Sequence, residues 1–254
     1  MKRLILSGWH AAIGAVGQGT YAWRLIDGIA RHIDRSSWSV TLYAPSRAAP
    51  AMAERFAGIR VESLPAPRTG HLVLDYVFWN LRLLSHRCLR EPDVIFFSPG
   101  PCCGFTAPKR FAVTHHDCIN HYYPIYMGRK FVRRWVARRS ERFLLRARIV
   151  FTESEDAAAD IHRWLGVPRE RIFAIPAWLP PEFNPPAARS AIPRVRARYG
   201  LPARYWLYVG GYDVRKNVEF LIRAYAAARR MTDCPPLVLA GRIPERVDPT
   251  LCDV

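Results

Sequence analysis

Three clusters in this sequence have residue types and spacing suited to chemistry. The first is His115-His116-Asp117-Cys118, with His121 nearby, directly after the apolar run Phe111–Thr114. Polar side chains at the end of a buried strand reach the mouth of a cleft. The residue types would suit a metal, but ligands usually come from separate elements that share a face, which adjacent residues do not provide. No metal is expected, and no neighbouring Ser/His/Asp arrangement suggests a hydrolase. The second cluster is the glycine-rich loop Gly14-Ala-Val-Gly17-Gln-Gly19-Thr20, between a first strand and a first helix. Open α/β sheets bind ligands there, though a plain turn has the same composition. The third is Gly210-Gly211-Tyr-Asp-Val-Arg215-Lys216-Asn217. Glycines let a backbone approach a ligand closely, and two cations beside the start of a helix favour a phosphate or diphosphate. An ordinary βα turn with a solvated arginine and lysine remains the alternative for this stretch.

These clusters need elements to hold them, and the apolar pattern supplies alternating strands and helices. Strands are predicted at Arg3–Ser7, Ser39–Tyr43, Arg60–Leu64, Val94–Phe97, Phe111–Thr114, Ile149–Thr152 and Ile172–Ile175. The first helix carries Tyr21, Ala22, Leu25, Ile26 and Ile29 on one face, and further helices fall near 51–56, 72–89, 126–147 and 156–165. Ser154 suits a helix N-cap and Asp156 a first turn. Repeated βα alternation predicts a doubly wound parallel sheet. Prolines from Pro176 to Pro202 mark an extended connection. A second series follows, with a strand at Tyr205–Val209, a helix opening near Lys216, and a strand at Leu237–Ala240. Val218, Leu221, Ala224, Tyr225 and Ala228 form that helix's apolar stripe. The expected domains are 1–190, with a linker region at 176–203, and 204–254 as the beginning of a second.

Composition narrows the chemistry. The 254 residues are 50% hydrophobic and 12% aromatic, as in globular proteins, and carry a formal net charge of +17. That charge implies anionic partners: nucleotide sugars, acidic lipid headgroups or nucleic acid. Six cysteines without C-x-x-C spacing read as reduced thiols in a cytoplasmic setting. No stretch is long and apolar enough to cross a bilayer. Residues 129–148 hold nine basic residues and one acid, interleaved with Phe131, Trp135 and Val136. This is either a solvated helix face or a basic amphipathic surface for anionic lipid, peripheral at the inner face of a membrane. Nucleic acid is not expected, because no recognition module accompanies the charge. NAD is disfavoured, since no acidic residue ends the second strand.

The ordered succession His-Asp at 116–117, Thr152-Glu-Ser154, Gly166-Val-Pro168, Ile175-Pro176, Gly210-Gly211 and Arg215-Lys-Asn217 resembles glycosyltransferase family 4. The donor turn is similar to that of bacterial mannosyltransferases of polysaccharide assembly. The resemblance implies a GT-B fold, with one complete Rossmann-like parallel-sheet domain on the acceptor side and the start of a donor-binding one. It implies retaining transfer of a hexose, mannose from GDP-mannose in the first instance, to a glycan or lipid-linked acceptor, with no cofactor. By the same resemblance His116 and Asp117 line the transferred sugar and the acceptor. Gly17, Gly19, Gly211, Arg215 and Lys216 then bind the donor.

Two departures qualify it. Gly211 stands where many members have an arginine, and the family's pair of glutamates eight positions apart is absent up to Val254. The donor domain is therefore expected to be truncated and this chain inactive by itself. The alternative from another class is a non-catalytic basic protein on an anionic membrane or on nucleic acid.

Overall fold

The computed structural model describes residues 1–13, 17–104, 106–124, 131–177, 189–212 and 214–241. Contacts divide the chain into two units, Met1–Trp178 and Leu179–Val254. The division falls inside the proline-rich stretch.

Among the described residues, seven strands build the first unit: β1 (Lys2–Ser7), β2 (Trp38–Pro45), β3 (Arg60–Leu64), β4 (Val94–Ser98), β5 (Phe111–Thr114), β6 (Ile149–Thr152) and β7 (Ile172–Ala174). They form one sheet in the order β3-β2-β1-β4-β5-β6-β7. Every pairing is parallel. Successive strand residues point to opposite faces, so neighbours in sequence enter different cores. Ile5, Phe96, Phe111 and Val113 join one buried cluster, while Leu6, Phe97 and Ala112 join the other. Helices cover both faces, as a parallel sheet requires. On the first lie α4 (Leu72–Leu84) through Trp79 and Leu83, α6 (Phe131–Leu144) through Phe143, and α7 (Glu155–Leu165) through Ile161. On the second lie α2 (Gln18–His32) through Ala22, Ile26 and Ala30, and α3 (Ala49–Arg55) through Met52. The short α1 (Trp9–Ala12) and α5 (Ile119–Tyr122) follow β1 and β5.

Several boundaries move from their sequence positions. Trp9-His10, which interrupts the first apolar run, opens α1 with Trp9, His10 and Ala11 buried. The helix expected over 72–89 stops at Leu84, where the Ser85 hydroxyl donates to the Arg82 carbonyl at 2.7 Å; a 3-10 turn, Arg87–Arg90, replaces the rest. Of the helix expected over 126–147, residues 125–130 lie outside the described residues, and Phe131–Leu144 is helical. The N-cap of α7 is Ser154, whose hydroxyl accepts from the Ala157 N–H at 3.1 Å, and Gly166 ends the helix in a left-handed conformation (φ 71°).

The second unit contains α8 (Ile192–Tyr199), β8 (Trp206–Val209), α9 (Val218–Met231) and β9 (Leu237–Ala240), with β8 and β9 parallel. Here α9 opens at Val218 and not at Lys216. Asn217 adopts a left-handed conformation (φ 48°) that breaks the helical run after a 3-10 turn, Val214–Lys216. Asparagine tolerates that conformation better than most side chains. The buried stripe is Val218, Ile222 and Tyr225, so Ala224 faces solvent. Gly241, just after β9, is required by close approach: a Cβ there would lie 1.9 Å from the Gly210 carbonyl oxygen.

Candidate active site

Four neighbouring strands of the first unit end in a buried hydroxyl: Ser7 on β1, Ser98 on β4, Thr114 on β5 and Thr152 on β6. These hydroxyls tie the elements of the site to the sheet. Ser7 Oγ accepts from the Trp79 indole N–H at 3.3 Å, which fixes α4 over β1. Thr114 Oγ1 lies 3.4 Å from the Tyr21 hydroxyl, which seats the first turn of α2 over β5. Thr152 Oγ1 donates to the His116 carbonyl at 3.3 Å, which holds the turn after β5. Ser98 Oγ has no partner among the described residues.

That turn presents His116. Its ring meets Tyr21 edge to face at 4.8 Å, and its Nδ1 lies 3.5 Å from a Glu153 carboxylate oxygen. Burial pushes the imidazole pKa below its ordinary value, while Glu153 opposes the shift. The ring therefore favours its neutral form at neutral pH. A neutral imidazole with one nitrogen toward Glu153 leaves Nε2 for a ligand, and that atom is enclosed without a partner among the described residues. Asp117 is exposed, and one carboxylate oxygen accepts from the Ile119 N–H at 3.1 Å, capping the turn into α5.

Two cavities lie beside the residues that contact His116, whose own ring lines neither. One, of about 300 Å³, has Trp9, His10, Tyr76, His115, Asp117 and Glu141 in its lining. The other, of about 290 Å³, is lined by Gly17, Thr20, Tyr21, Arg24, Glu153 and Ala177. The chain neighbours of His116 thus face one space and its ring partners face the other.

Gly17 has φ 54°, a conformation that other residues rarely take, and it starts α2 with no side-chain cap. The leading N–H groups of α2 are left uncapped by a side chain, as at anion-binding helix starts. Gly19 differs from its sequence reading: it is buried inside the first turn of α2 and belongs to the helix, not to a loop. Gly14–Val16 lie outside the described residues.

Gly211, Arg215 and Lys216 belong to the second unit. The Gly211 carbonyl accepts from the Tyr208 hydroxyl at 2.9 Å, and a Cβ at Gly211 would meet open space. Arg215 and Lys216 are exposed in the 3-10 turn before α9. Their distance in sequence from the helix start is the physical difference from the expected arrangement, in which they sat at the N-terminus itself.

Sequence reasoning passed over four residues of the site. Tyr21 was read only as part of an apolar stripe and His10 only as a break in an apolar run, while Arg24 and Glu153 drew no reading of their own. Only Glu153, within Thr-Glu-Ser-Glu, stood in a motif already singled out. Among the described residues, no group of three or more His, Cys, Asp or Glu could hold a metal ion, and no helix is long and apolar enough to cross a membrane.

The sequence matches the family model described as Glycosyltransferase Family 4 over residues 17–183. Among solved structures, the fold is similar to Anabaena Alr3699/HepE in complex with UDP-glucose, at TM-score 0.57 and 16% identity over 94% of this chain. It is also similar to WaaG, a glycosyltransferase involved in lipopolysaccharide biosynthesis, at TM-score 0.57 and 14% identity over 93% of this chain. The chain spans 60% and 62% of those two structures. No curated protein matches the sequence. The parallel α/β sheet is the GT-B-like arrangement of these neighbours, and with the family match extending over most of the first unit, the chain belongs to glycosyltransferase family 4.

Proposed function

We propose that this chain serves a hexosyltransferase that moves a hexose from a nucleotide-sugar donor to a glycan or lipid-linked acceptor, with retained configuration and no metal or cofactor. The observation that carries the reading is His116, whose buried Nε2 has no hydrogen-bond partner among the described residues, with its neighbour Asp117 lining one cavity and its partner Glu153 lining another. Its neutral ring offers a hydrogen bond to a sugar hydroxyl, and Asp117 beside it adds an acceptor. Holding donor sugar and acceptor at near-attack distance is worth up to about 7–11 kcal/mol of barrier. The uncapped start of α2 at Gly17, with Gly19 packed in its first turn, supports contact with the donor from the first unit. Gly211, Arg215 and Lys216 are assigned to the departing diphosphate, whose developing charge two cations stabilise.

Mannose carried on GDP is the donor favoured by the form of the Gly-Gly-Tyr-Asp turn. The UDP and UDP-glucose bound to the Anabaena protein support the nucleotide-sugar class without choosing the base. For location we assign the cytoplasmic side of an anionic membrane, in peripheral contact. Along α6, Phe131, Val132 and Trp135 are exposed among Arg133, Arg134 and Arg138. Apolar and basic side chains together on one helix suit a lipid headgroup surface.

Calorimetric titration with GDP-mannose, UDP-glucose and the corresponding diphosphates tests the reading. Saturable heat with at least one nucleotide sugar is expected. Absence of binding for every donor and every diphosphate would overturn it.

A further inference from the structure

The cavity lined by α1, α4, α5 and α6 contains a group that the reading above does not use. His10 lines it, is buried, and packs face-on against Gly100, where a Cβ would come within 2.7 Å of the ring. Its Nδ1 has no hydrogen-bond partner among the described residues. Leaving a buried polar atom unpaired costs about 1–3 kcal/mol, so such an atom calls for an explanation, and a ligand that completes it is one.

We propose that this cavity receives the uncharged, hydroxylated ring of the acceptor, and that the Nδ1 of His10 selects it through a hydrogen bond to a ring hydroxyl. The proposal rests on the transferase reading for the word acceptor, but its chemistry is local to the cavity. Burial lowers the pKa of His10 to about 3 and that of His115 to about 4. Both imidazoles are therefore neutral at pH 7, each with one N–H and one bare nitrogen. A hydroxyl donates and accepts, and it complements that pair; a phosphate only accepts.

The other polar groups repeat the preference. Asp117 and Glu141 line the cavity together with Arg133 and His121, whose Nε2 lies 3.5 Å from a Glu141 carboxylate oxygen, and with Asn120 and Ser140. In a chain of net charge +17, this concavity is a place where carboxylates match or outnumber cations, and carboxylates accept from sugar hydroxyls while repelling anions. The walls suit a ring as well. Tyr76 and Trp9 stand 6.2 Å apart by ring centroid, and Trp9 stacks on Trp79 at 5.8 Å, which stiffens that wall. Aromatic faces bury the apolar side of a pyranose while its hydroxyls turn to the polar groups. A volume of about 300 Å³ lies at the lower end for small-molecule pockets and fits a single ring.

The test follows the histidine ring signals of the isotopically labelled chain by NMR, without any nucleotide. The probes are methyl hexopyranosides of the gluco, galacto and manno series, the matching hexose phosphates, and cyclohexanol. At least one methyl glycoside is expected to shift His10 and His115 saturably, with its phosphate at least tenfold weaker. His10→Phe should abolish the response at His115, and His10→Gln should retain part of it. If neither variant folds, the wild-type contrast between glycoside and phosphate decides alone. Equal or tighter binding of the phosphate, or of cyclohexanol, would overturn the proposal. So would shifts confined to His116, or none at His10. Should the glycosides move His10 while calorimetry finds no nucleotide sugar, the transferase reading fails and the pocket stands.

Discussion

In the first unit His116 is enclosed by Tyr21, Glu153 and the Thr152 hydroxyl, on a seven-stranded sheet with both faces covered. In the second, Arg215 and Lys216 are exposed beside a two-stranded sheet whose Leu207 and Val209 are 55% and 72% accessible. One region positions its ligand groups by packing them. The other offers backbone and charge at the surface. The difference matches the two tasks assigned to them, because a sugar hydroxyl is recognised by geometry and a diphosphate by charge. It also predicts that the two regions respond differently to acid, to truncation of side chains and to ligands.

Acid should separate them most. All eight histidines precede residue 179, and burial depresses His10 and His115 to about 3 and about 4 from an ordinary 6.5. A depressed histidine stabilises the fold fully above its unfolded pKa and loses that contribution as the pH falls through 6.5 toward the folded value. Each contributes a slope of about 1.4 kcal/mol per pH unit in that window. Denaturant melts between pH 7 and 4.5 should show the first unit weakening steeply, with the His10→Gln variant less steep. A pH-independent midpoint would remove the buried neutral histidines from the account.

Side-chain truncation comes next. Trp79→Ala removes a fully buried ring from under α4 and should cost about 3–5 kcal/mol. Leu207→Ala, on the exposed sheet, should change stability by no more than about 0.5 kcal/mol. Urea titrations of both variants check this, and comparable losses would erase the contrast in packing.

The smallest of these effects is on ligand affinity. Lys216→Ala should weaken nucleoside diphosphate binding roughly tenfold to a hundredfold, about 1.5–3 kcal/mol for a charge-assisted contact. Unchanged calorimetric affinity would return Lys216 to a solvated turn residue.

How much of this was legible in the sequence follows from the same contrast. Strands such as Phe111–Thr114 and Ile149–Thr152 were readable to the residue, because short continuous apolar runs rich in β-branched and aromatic residues and flanked by turns have few other solutions. The cap at Ser154 was readable because capping is local. The start of α9 was not, since the left-handed Asn217 is set by a backbone choice that the apolar stripe does not encode. His116 was singled out through its place at a strand end. Its partners Tyr21 and Glu153 were not, because they arrive from elements ninety-five and thirty-seven residues away in the chain. His10 was missed for the opposite reason: in sequence a histidine inside an apolar run reads as a break, and only burial without a partner gives it meaning.

The division of labour between the two regions is the central claim, and one NMR experiment tests it most directly. The His116 ring and the Gly211 and Lys216 amides are followed while a nucleoside diphosphate is added and, in a separate titration, the free hexose. The account predicts that the diphosphate moves Gly211 and Lys216 and leaves His116 in place, whereas the hexose moves His116 and leaves the two amides in place. A diphosphate that shifts His116 as much as Lys216, or a hexose that never reaches His116, would contradict the assignment of the hexose to the first unit.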